Sequence, residues 1–343
     1  MEDKIYDKNI ESYTRLITPV ELKENLSVTQ KVISTVIEAR KQIAKILNKE
    51  DNRTILIIGP CSVHNVEEAL TYANKVKELQ EKVKDKFILI MRTYFEKPRT
   101  TTGWKGLVYD PNLDESDDIE KGLKLARKLL ININEMGVPC GTEFLGMVTP
   151  QYFDDLISWA AIGARNTESQ PHREMVSGLS MPVGFKNDTQ GNVGIAINSM
   201  KSSLTGHSFL GVNQDGKVSV VKSKGNKYVH IILRGGNEPN YHPECIKEVE
   251  EILIKNNFTH NVIIDCSHGN SKKDFTRQPL VFNSVIDQIK NKDESIVGLM
   301  LESNLEEGNQ KICDDLKPGV SITDECISWD TTEKLIMDGY NKL

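Results

Sequence analysis

Eight apolar runs of this chain end at residues that can bind ions or carry out chemistry, and this repetition constrains the fold most. Each run is continuous rather than alternating, which is typical of parallel strands covered on both faces. The run ends are Cys61, Arg92 with Lys97, Glu143, Arg165, Lys186, Arg234, His268 and Glu302. Reactive residues at the carboxyl ends of eight successive strands predict a (β/α)8 TIM barrel with its site at that rim.

The chain has 343 residues, whereas a barrel of this kind takes about 250. We therefore expect one barrel with extensions. Residues 1–50 are expected to form an irregular arm and a helix capped by Ser27. Residues 51–343 would form the barrel, with an inserted β-hairpin at about residues 208–227. A helix that Thr149 and Pro150 begin is expected after the third strand.

Composition excludes several classes of protein. Lys and Arg number 43 and Asp and Glu 49, which gives a net charge of −6 without a basic run, so nucleic-acid binding is not expected. No 18-residue apolar run or signal-like start is present, so no membrane association and a cytoplasmic location are expected. The six cysteines show no paired spacing and are expected to be free thiols.

Four residues form a candidate metal site. Cys61, His268 and Glu302 each lie at a strand end, and Asp324 follows in GVSITDE. In a barrel all four would point into one mouth. A thiolate, an imidazole and two carboxylates suit a borderline divalent ion such as Mn, Fe, Co or Zn better than Mg or Ca.

Cationic residues also cluster at or just after the strand ends. They are Arg92, Lys97, Arg99, Lys105, Arg165, Lys186 and Arg234. Arginine matches phosphate and carboxylate groups bidentately, so the set predicts substrates with several negative groups. Surface salt bridges are the alternative interpretation, but a buried arginine is costly without an anionic partner.

Two barrel chemistries fit these residues. Lys186 could form a Schiff base, as in lysine aldolases. Alternatively, a metal ion could polarise a carbonyl during a condensation. Four candidate ligands favour the second chemistry.

Long motifs of the chain resemble a known family. The strings are GPCSVHN, MRTYFEKPRTTTGWKGL, GTEFL, GARNTESQPHRE, SGLSMPVGFKN, HIILRGGN, IDCSHGNS, LMLESNLEEGNQ and GVSITDECISW. From about residue 5 to the C-terminus the chain is similar to 3-deoxy-D-arabino-heptulosonate 7-phosphate (DAHP) synthase, in its feedback-regulated short type I form. The resemblance implies condensation of phosphoenolpyruvate with erythrose 4-phosphate, which is the first step of the shikimate pathway of aromatic amino acid biosynthesis.

The resemblance also implies residue roles. Cys61, His268, Glu302 and Asp324 match the family's metal ligands. Phosphoenolpyruvate would be held by Arg92, Arg165, Lys186 and Arg234, and the sugar phosphate by Lys97, Pro98, Arg99 and Thr100. Lys97 would reach both substrates, and Lys97 and His268 are candidates for moving protons, with Cys61 as a further catalytic residue.

Regulation is implied as well. In the family an aromatic amino acid binds between the hairpin, the helix near Pro150 and an arm from a neighbouring subunit. The matching positions here are Asp7, Met147, Gln151, Ser180, Phe209 and Val221. The inhibitor is expected to be phenylalanine or tyrosine rather than tryptophan, and the assembly a homodimer or homotetramer. Alternatively, the arm and the hairpin only close the barrel and mediate assembly.

Two other functions remain open from the sequence. A sister enzyme condenses phosphoenolpyruvate with arabinose 5-phosphate to give 3-deoxy-octulosonate 8-phosphate, but the KPRTT motif and the arm favour the erythrose enzyme. A catalytically inactive barrel that only senses an amino acid would lack a metal ligand, whereas all four are present.

Overall fold

Eight parallel strands close into a barrel, and this confirms the predicted fold. The computed structural model describes residues 5–343. The barrel strands are β1 (Thr54–Gly59), β2 (Phe87–Arg92), β3 (Cys140–Glu143), β4 (Trp159–Ile162), β5 (Val183–Lys186), β8 (Val229–Leu233), β9 (Val262–Asp265) and β10 (Ile296–Glu302). The expected hairpin is formed by β6 (Ser208–Val212) and β7 (Val218–Lys222), which pair antiparallel between β5 and β8.

Helices cover the outside of the barrel. They are α1 (Pro19–Asn25), α2 (Gln30–Leu47), α3 (Val66–Val83), α4 (Ile119–Glu135), α5 (Pro150–Phe153), α6 (Gln170–Gly178), α7 (Val193–Leu204), α8 (Pro243–Lys255), α9 (Gln278–Lys290) and α10 (Trp329–Lys342). Short 3-10 turns follow α5 and precede α9. No helix within residues 5–343 is long and apolar enough to span a bilayer.

Alternate residues of the strands divide the apolar core into two layers. Ile55 and Ile57 of β1 and Ile88 and Ile90 of β2 belong to a cluster inside the barrel. Leu56, Ile58 and the outward-facing residues of the other barrel strands pack against the surrounding helices in a second cluster. Because every strand of the barrel is buried on both faces, continuous apolar runs were the right signal for this sheet.

Helix α2 covers the amino-terminal end of the barrel. Ile43, Ile46 and Leu47 share the interior cluster. The backbone oxygen of Leu47 accepts a hydrogen bond of 2.7 Å from Asn261, which directly precedes β9. The opposite, carboxyl end of the strands is therefore the end that remains open for a site.

The N-terminal region differs from the sequence prediction. Thr29, not Ser27, caps α2, because its hydroxyl accepts from the backbone of Val32. The expected irregular arm also contains α1, which has a complete capping box between Thr18 and Glu21. The T-x-x-E spacing was visible in the sequence and predicts such a start.

The helix expected after the third strand is reduced to the single turn α5. Thr149 does not cap it, since its hydroxyl donates to Glu96 instead. The helix ends at Phe153, and Trp159–Ile162 form β4, the strand that the fourth apolar run predicts. At the other end of the chain, α10 was not predicted, although Ser328 caps it.

One buried histidine gives the fold a specific acid sensitivity. His230 of β8 is fully buried and accepts a hydrogen bond of 3.0 Å from the indole of Trp159. Burial lowers the pKa of His230 from 6.5 to about 4. The folded protein therefore keeps this imidazole neutral at pH values where the unfolded chain protonates it.

The stability that this difference provides is complete above pH 6.5 and is lost as the pH falls towards about 4. The shift corresponds to about 3 kcal/mol. We predict that His230→Gln reduces the fall in Tm between about pH 7.5 and about pH 5, measured by circular dichroism. The half-exposed His260→Gln is the control and should leave the fall unchanged. Equal falls in wild type and His230→Gln would contradict the assignment.

Candidate active site

A cavity of about 710 Å³ opens at the carboxyl end of the strands. Most of the residues predicted for the site line it. These are Lys97, Pro98, Arg99, Thr100, Arg165, Lys186, Arg234, His268, Glu302 and Asp324. Two predicted residues, Cys61 and Arg92, do not line the cavity but are buried beside it. Cys61 is 0% and Arg92 1% exposed.

Three of the four candidate metal ligands lie together. One ligand atom each from Cys61, Glu302 and Asp324 fall within 4.8 Å of one another. Glu302 is the last residue of β10 and pairs with Gly59, so the β1–α3 loop places Cys61 beside it. Asp324 comes from the segment before α10, and its carboxylate lies 3.5 Å from the Cys61 thiol.

His268 lies at the edge of this set, with its Nε2 3.8 Å from Glu302 Oε1. Its Nδ1 contacts Asp265 Oδ2 at 2.9 Å and Ser267 Oγ at 2.7 Å. Ser267 donates its hydroxyl hydrogen to Asp265, so a proton on Nδ1 of His268 satisfies both of these contacts. Nε2 is then the atom with a free lone pair, as metal binding requires. The φ of His268 is +56°, a strained value typical of functional positions.

Asp265 joins the two halves of the site and was missed by the sequence analysis. This last residue of β9 is 0% exposed, and its Oδ2 also lies 3.0 Å from the ammonium of Lys186. Burial alone would raise the pKa of Asp265, but His268 and Lys186 outweigh it and hold the pKa well below its usual range. A carboxylate three residues before a strand-end histidine is the signal that could have found it.

Arg92 is held between an acid and an aromatic ring. Its Nη2 lies 3.1 Å from Glu302 Oε1, and its guanidinium lies 4.0 Å from the centre of the Tyr94 ring. Its Nη1 and the Tyr94 hydroxyl are buried without a hydrogen-bond partner among residues 5–343. A buried donor without a partner is unfavourable, so Nη1 is available for an anionic ligand.

The remaining cations surround the cavity from three strand ends. Lys186 ends β5, Arg234 follows β8 and Arg165 follows β4. Burial lowers the pKa of Arg234, and the nearby Arg165 adds to this effect, while Asp265 opposes it. Mutually repelling cations around one cavity are stabilised when an anion binds between them.

The loop between β2 and α4 carries the rest of the predicted set. Lys97 Nζ lies 3.0 Å from the Cys61 thiol. Burial, followed by the charge of Glu302, raises the pKa of Cys61 to about 12, whereas Lys97 opposes the rise. Arg99 and Thr100 are exposed at the mouth, where Thr100 accepts a hydrogen bond of 3.3 Å from Arg165.

The donor set fits the expected metal. It combines one soft sulfur, carboxylate oxygens and one nitrogen of an imidazole ring that Asp265 and Ser267 orient. This mixture is typical of borderline divalent ions. A bound cation would also favour the thiolate of Cys61, which burial alone disfavours.

The six candidate effector residues come from four regions of the chain, namely the arm, the segment around α5, the end of α6 and the hairpin. Phe209 and Val221 are opposite each other in the hairpin. The turn of the hairpin contacts Gln151 of α5, since Gln214 donates to its side chain at 2.7 Å. Met147 lies just before α5 and Ser180 just after α6, and both are exposed. Asp7 lies on the exposed arm, where its carboxylate accepts a hydrogen bond from the Tyr13 hydroxyl.

Together the fold and the cavity define a (β/α)8-barrel enzyme whose cationic site adjoins a cluster of potential metal ligands. Comparisons with known proteins identify the family. A profile of the DAHP synthetase I family matches residues 17–337, and the chain belongs to this family. The resemblance inferred from the motifs is confirmed.

Relatives in the family match along nearly the whole chain. "Phospho-2-dehydro-3-deoxyheptonate aldolase, Tyr-sensitive" from Escherichia coli strain K12 is 47% identical over 100% of this chain and 97% of its own length. The Trp-sensitive protein of the same strain is also 47% identical, over 97% of this chain and 96% of its own length. A solved phospho-2-dehydro-3-deoxyheptonate aldolase from Francisella tularensis has a TM-score of 0.96 and 44% identity, covering 97% of this chain and 98% of its own.

Proposed function

We propose that this enzyme condenses phosphoenolpyruvate with D-erythrose 4-phosphate and water to give DAHP and phosphate. One observation carries the proposal, namely that the cations and the candidate metal ligands surround a single cavity. The names of the relatives support the same activity, because they are called phospho-2-dehydro-3-deoxyheptonate aldolases.

Each substrate would bind to its own cations. Arg92, Arg165, Lys186 and Arg234 would hold the phosphate and carboxylate of phosphoenolpyruvate. Lys97, Pro98, Arg99 and Thr100 would hold the sugar phosphate at the mouth. Fixing the enol carbon C3 against the aldehyde removes much of the entropic barrier of a two-substrate reaction.

The bond changes then follow from the substrates. C3 of the enol bonds to the aldehyde carbon, water adds to C2, and the C2–oxygen bond to phosphate breaks. A divalent ion such as Mn, Fe, Co or Zn, held by Cys61, His268, Glu302 and Asp324, would polarise the aldehyde. Lys97 lies on the loop between β2 and α4, and its ammonium reaches Cys61. It is therefore the residue best placed to give a proton to the new hydroxyl.

A direct assay distinguishes this activity from that of the sister enzyme. Purified protein supplied with phosphoenolpyruvate should release phosphate with erythrose 4-phosphate much faster than with arabinose 5-phosphate. A preference for arabinose 5-phosphate, or no turnover with either sugar in the presence of Mn, would refute the proposal.

The exposed apolar residues favour assembly into a homodimer or homotetramer. One face of the hairpin exposes Leu210 by 80%, Val218 by 79% and Val220 by 67%. The arm exposes Ile5 and Tyr13 to a similar extent. Contiguous exposed apolar side chains are typical of protein interfaces.

We predict that chelation abolishes turnover and that Mn, Co or Fe restores it. Cys61→Ser should lose both bound metal and activity while remaining folded, because a hydroxyl is a poor ligand for a borderline ion. Cys140→Ser is the matched control, since Cys140 is equally buried but lies on β3 away from the cavity. Metal content and rate are measured together, and full activity after exhaustive chelation would contradict the prediction.

Two substitutions test which substrate binds at each of the two anion sites. Arg99→Ala should chiefly raise the KM for erythrose 4-phosphate, and Arg234→Ala the KM for phosphoenolpyruvate. Each lost charge-assisted contact should cost on the order of 2–4 kcal/mol in kcat/KM. If Arg99→Ala affects only the KM for phosphoenolpyruvate in steady-state kinetics, the assignment of the two sites is wrong.

We also propose feedback inhibition by an aromatic amino acid bound beside Asp7, Met147, Gln151, Ser180, Phe209 and Val221. Relatives named Tyr-sensitive and Trp-sensitive support an effector of this class. Phenylalanine or tyrosine is favoured over tryptophan, and the effector would misplace the loop that carries Lys97 and Arg99.

Deleting residues 1–12 should leave an enzyme that turns over but is no longer inhibited. Residues 1–4 of this segment lie outside the described part of the chain. The measurement is the rate against the concentration of each of the three amino acids. Insensitivity of the intact enzyme to millimolar amounts of all three, or full inhibition of the truncated one, would rule out this site.

A further inference from the structure

A buried carboxylate ties the loop that carries Lys97 to the segment that leads into α5. Glu96 is 3% exposed and directly precedes Lys97. Its Oε2 accepts from the backbone of Leu145 at 3.3 Å and from the Thr149 hydroxyl at 2.9 Å. Its Oε1 accepts from the backbone of Gly146 at 3.1 Å and from the Tyr109 hydroxyl at 3.0 Å.

This arrangement is unusual because a buried acid is normally paired with a cation. The four hydrogen bonds of Glu96 come from two hydroxyls and two backbone amides instead. Together they satisfy both carboxylate oxygens and offset the cost of burial. The contact therefore depends on residues 145–149 staying in place.

Glu96 also joins two parts of the loop between β2 and α4. Tyr109 approaches the carboxylate from 13 residues further along that loop. Backbone hydrogen bonds from Lys97 to Lys105 and from Val108 to Phe95 fold the loop back on itself. A shift at Glu96 would consequently displace Lys97 and the exposed Arg99 together.

The other side of the contact reaches the hairpin. Met147 lies within the segment that Glu96 holds, and Gln151 lies in the turn that follows Thr149. Gln151 accepts from Gln214 in the hairpin turn, at 2.7 Å. A ligand that moved Met147 or Gln151 would thus act on the partners of Glu96.

We propose that Glu96 is a positioning residue that holds Lys97 and Arg99 in their working arrangement and links them to residues 145–151. Loss of its hydrogen bonds is the step by which an effector weakens use of the sugar phosphate. The second statement rests on the proposed feedback site, whereas the first does not.

Glu96→Gln tests the proposal with little change of shape. Since donors face both carboxylate oxygens, the amide NH2 must oppose one pair of them. Without effector, the KM for erythrose 4-phosphate should rise roughly tenfold, while the KM for phosphoenolpyruvate changes less than about threefold. The variant thereby resembles partly inhibited enzyme.

The effector gives a second measurement. Calorimetry with phenylalanine and with tyrosine should show a dissociation constant within about threefold of wild type, while the maximal inhibition falls by at least about half. In this case the amino acid binds the variant normally but inhibits it less. A purely structural role of Glu96 would not produce this result.

Asp110→Asn is the matched control. Asp110 is a carboxylate of the same loop, 6% exposed, and within residues 5–343 its side chain accepts only from the backbone of Asp114 and Glu115, in that loop. Its substitution should leave both KM values and the inhibition within about twofold of wild type.

Two results would overturn the proposal. Equal rises in both KM values would show that Glu96 only supports packing, and unchanged KM values with unchanged inhibition would show that it positions nothing. If wild type ignores all three amino acids, the feedback site fails, but the selective rise in the KM for erythrose 4-phosphate still decides whether Glu96 positions Lys97 and Arg99.

Discussion

The contact of Asp265 with Lys186 and His268 is the interaction on which the rest of the site depends. A single buried carboxylate oxygen lies 3.0 Å from the ammonium and 2.9 Å from the imidazole. The ammonium belongs to the candidate anion-binding half and the imidazole to the candidate metal half. Burying an unpaired lysine would cost several kcal/mol, so Asp265 is what allows Lys186 to remain charged at the floor of the cavity.

A second buried pair repeats this arrangement on the other side of the barrel. Glu302 holds Arg92 at 3.1 Å and also lies beside Cys61 and Asp324. Asp265 thus joins one cation to a candidate metal ligand, whereas Glu302 joins its cation to the candidate metal cluster as a member of that cluster. Such preorganised charges need no rearrangement when charge develops in the reaction, which is the main electrostatic advantage of an enclosed site.

The barrel could be predicted from the sequence because continuous apolar runs and strand-end residues are local signals. The same signals found Lys186, Arg234, His268 and Glu302, which the cavity brings together. Glu96 was missed because its partners, such as Thr149, lie far away in the chain. Asp265 had a local signal in its spacing to His268, but its contact with Lys186 also joins residues that are far apart in the chain. The reduced α5 was mispredicted because the strand β4 that follows it is also apolar, so periodicity did not mark the boundary.

The most direct test is the Asp265→Asn variant, studied by calorimetry with each ligand alone. If one carboxylate supports both halves, affinity for Mn should fall by roughly 10–100-fold, as for other lost partners of a ligating histidine. Affinity of the metal-free protein for phosphoenolpyruvate should fall as well, because Lys186 loses the group that holds it. A change in only one of the two affinities would contradict the account.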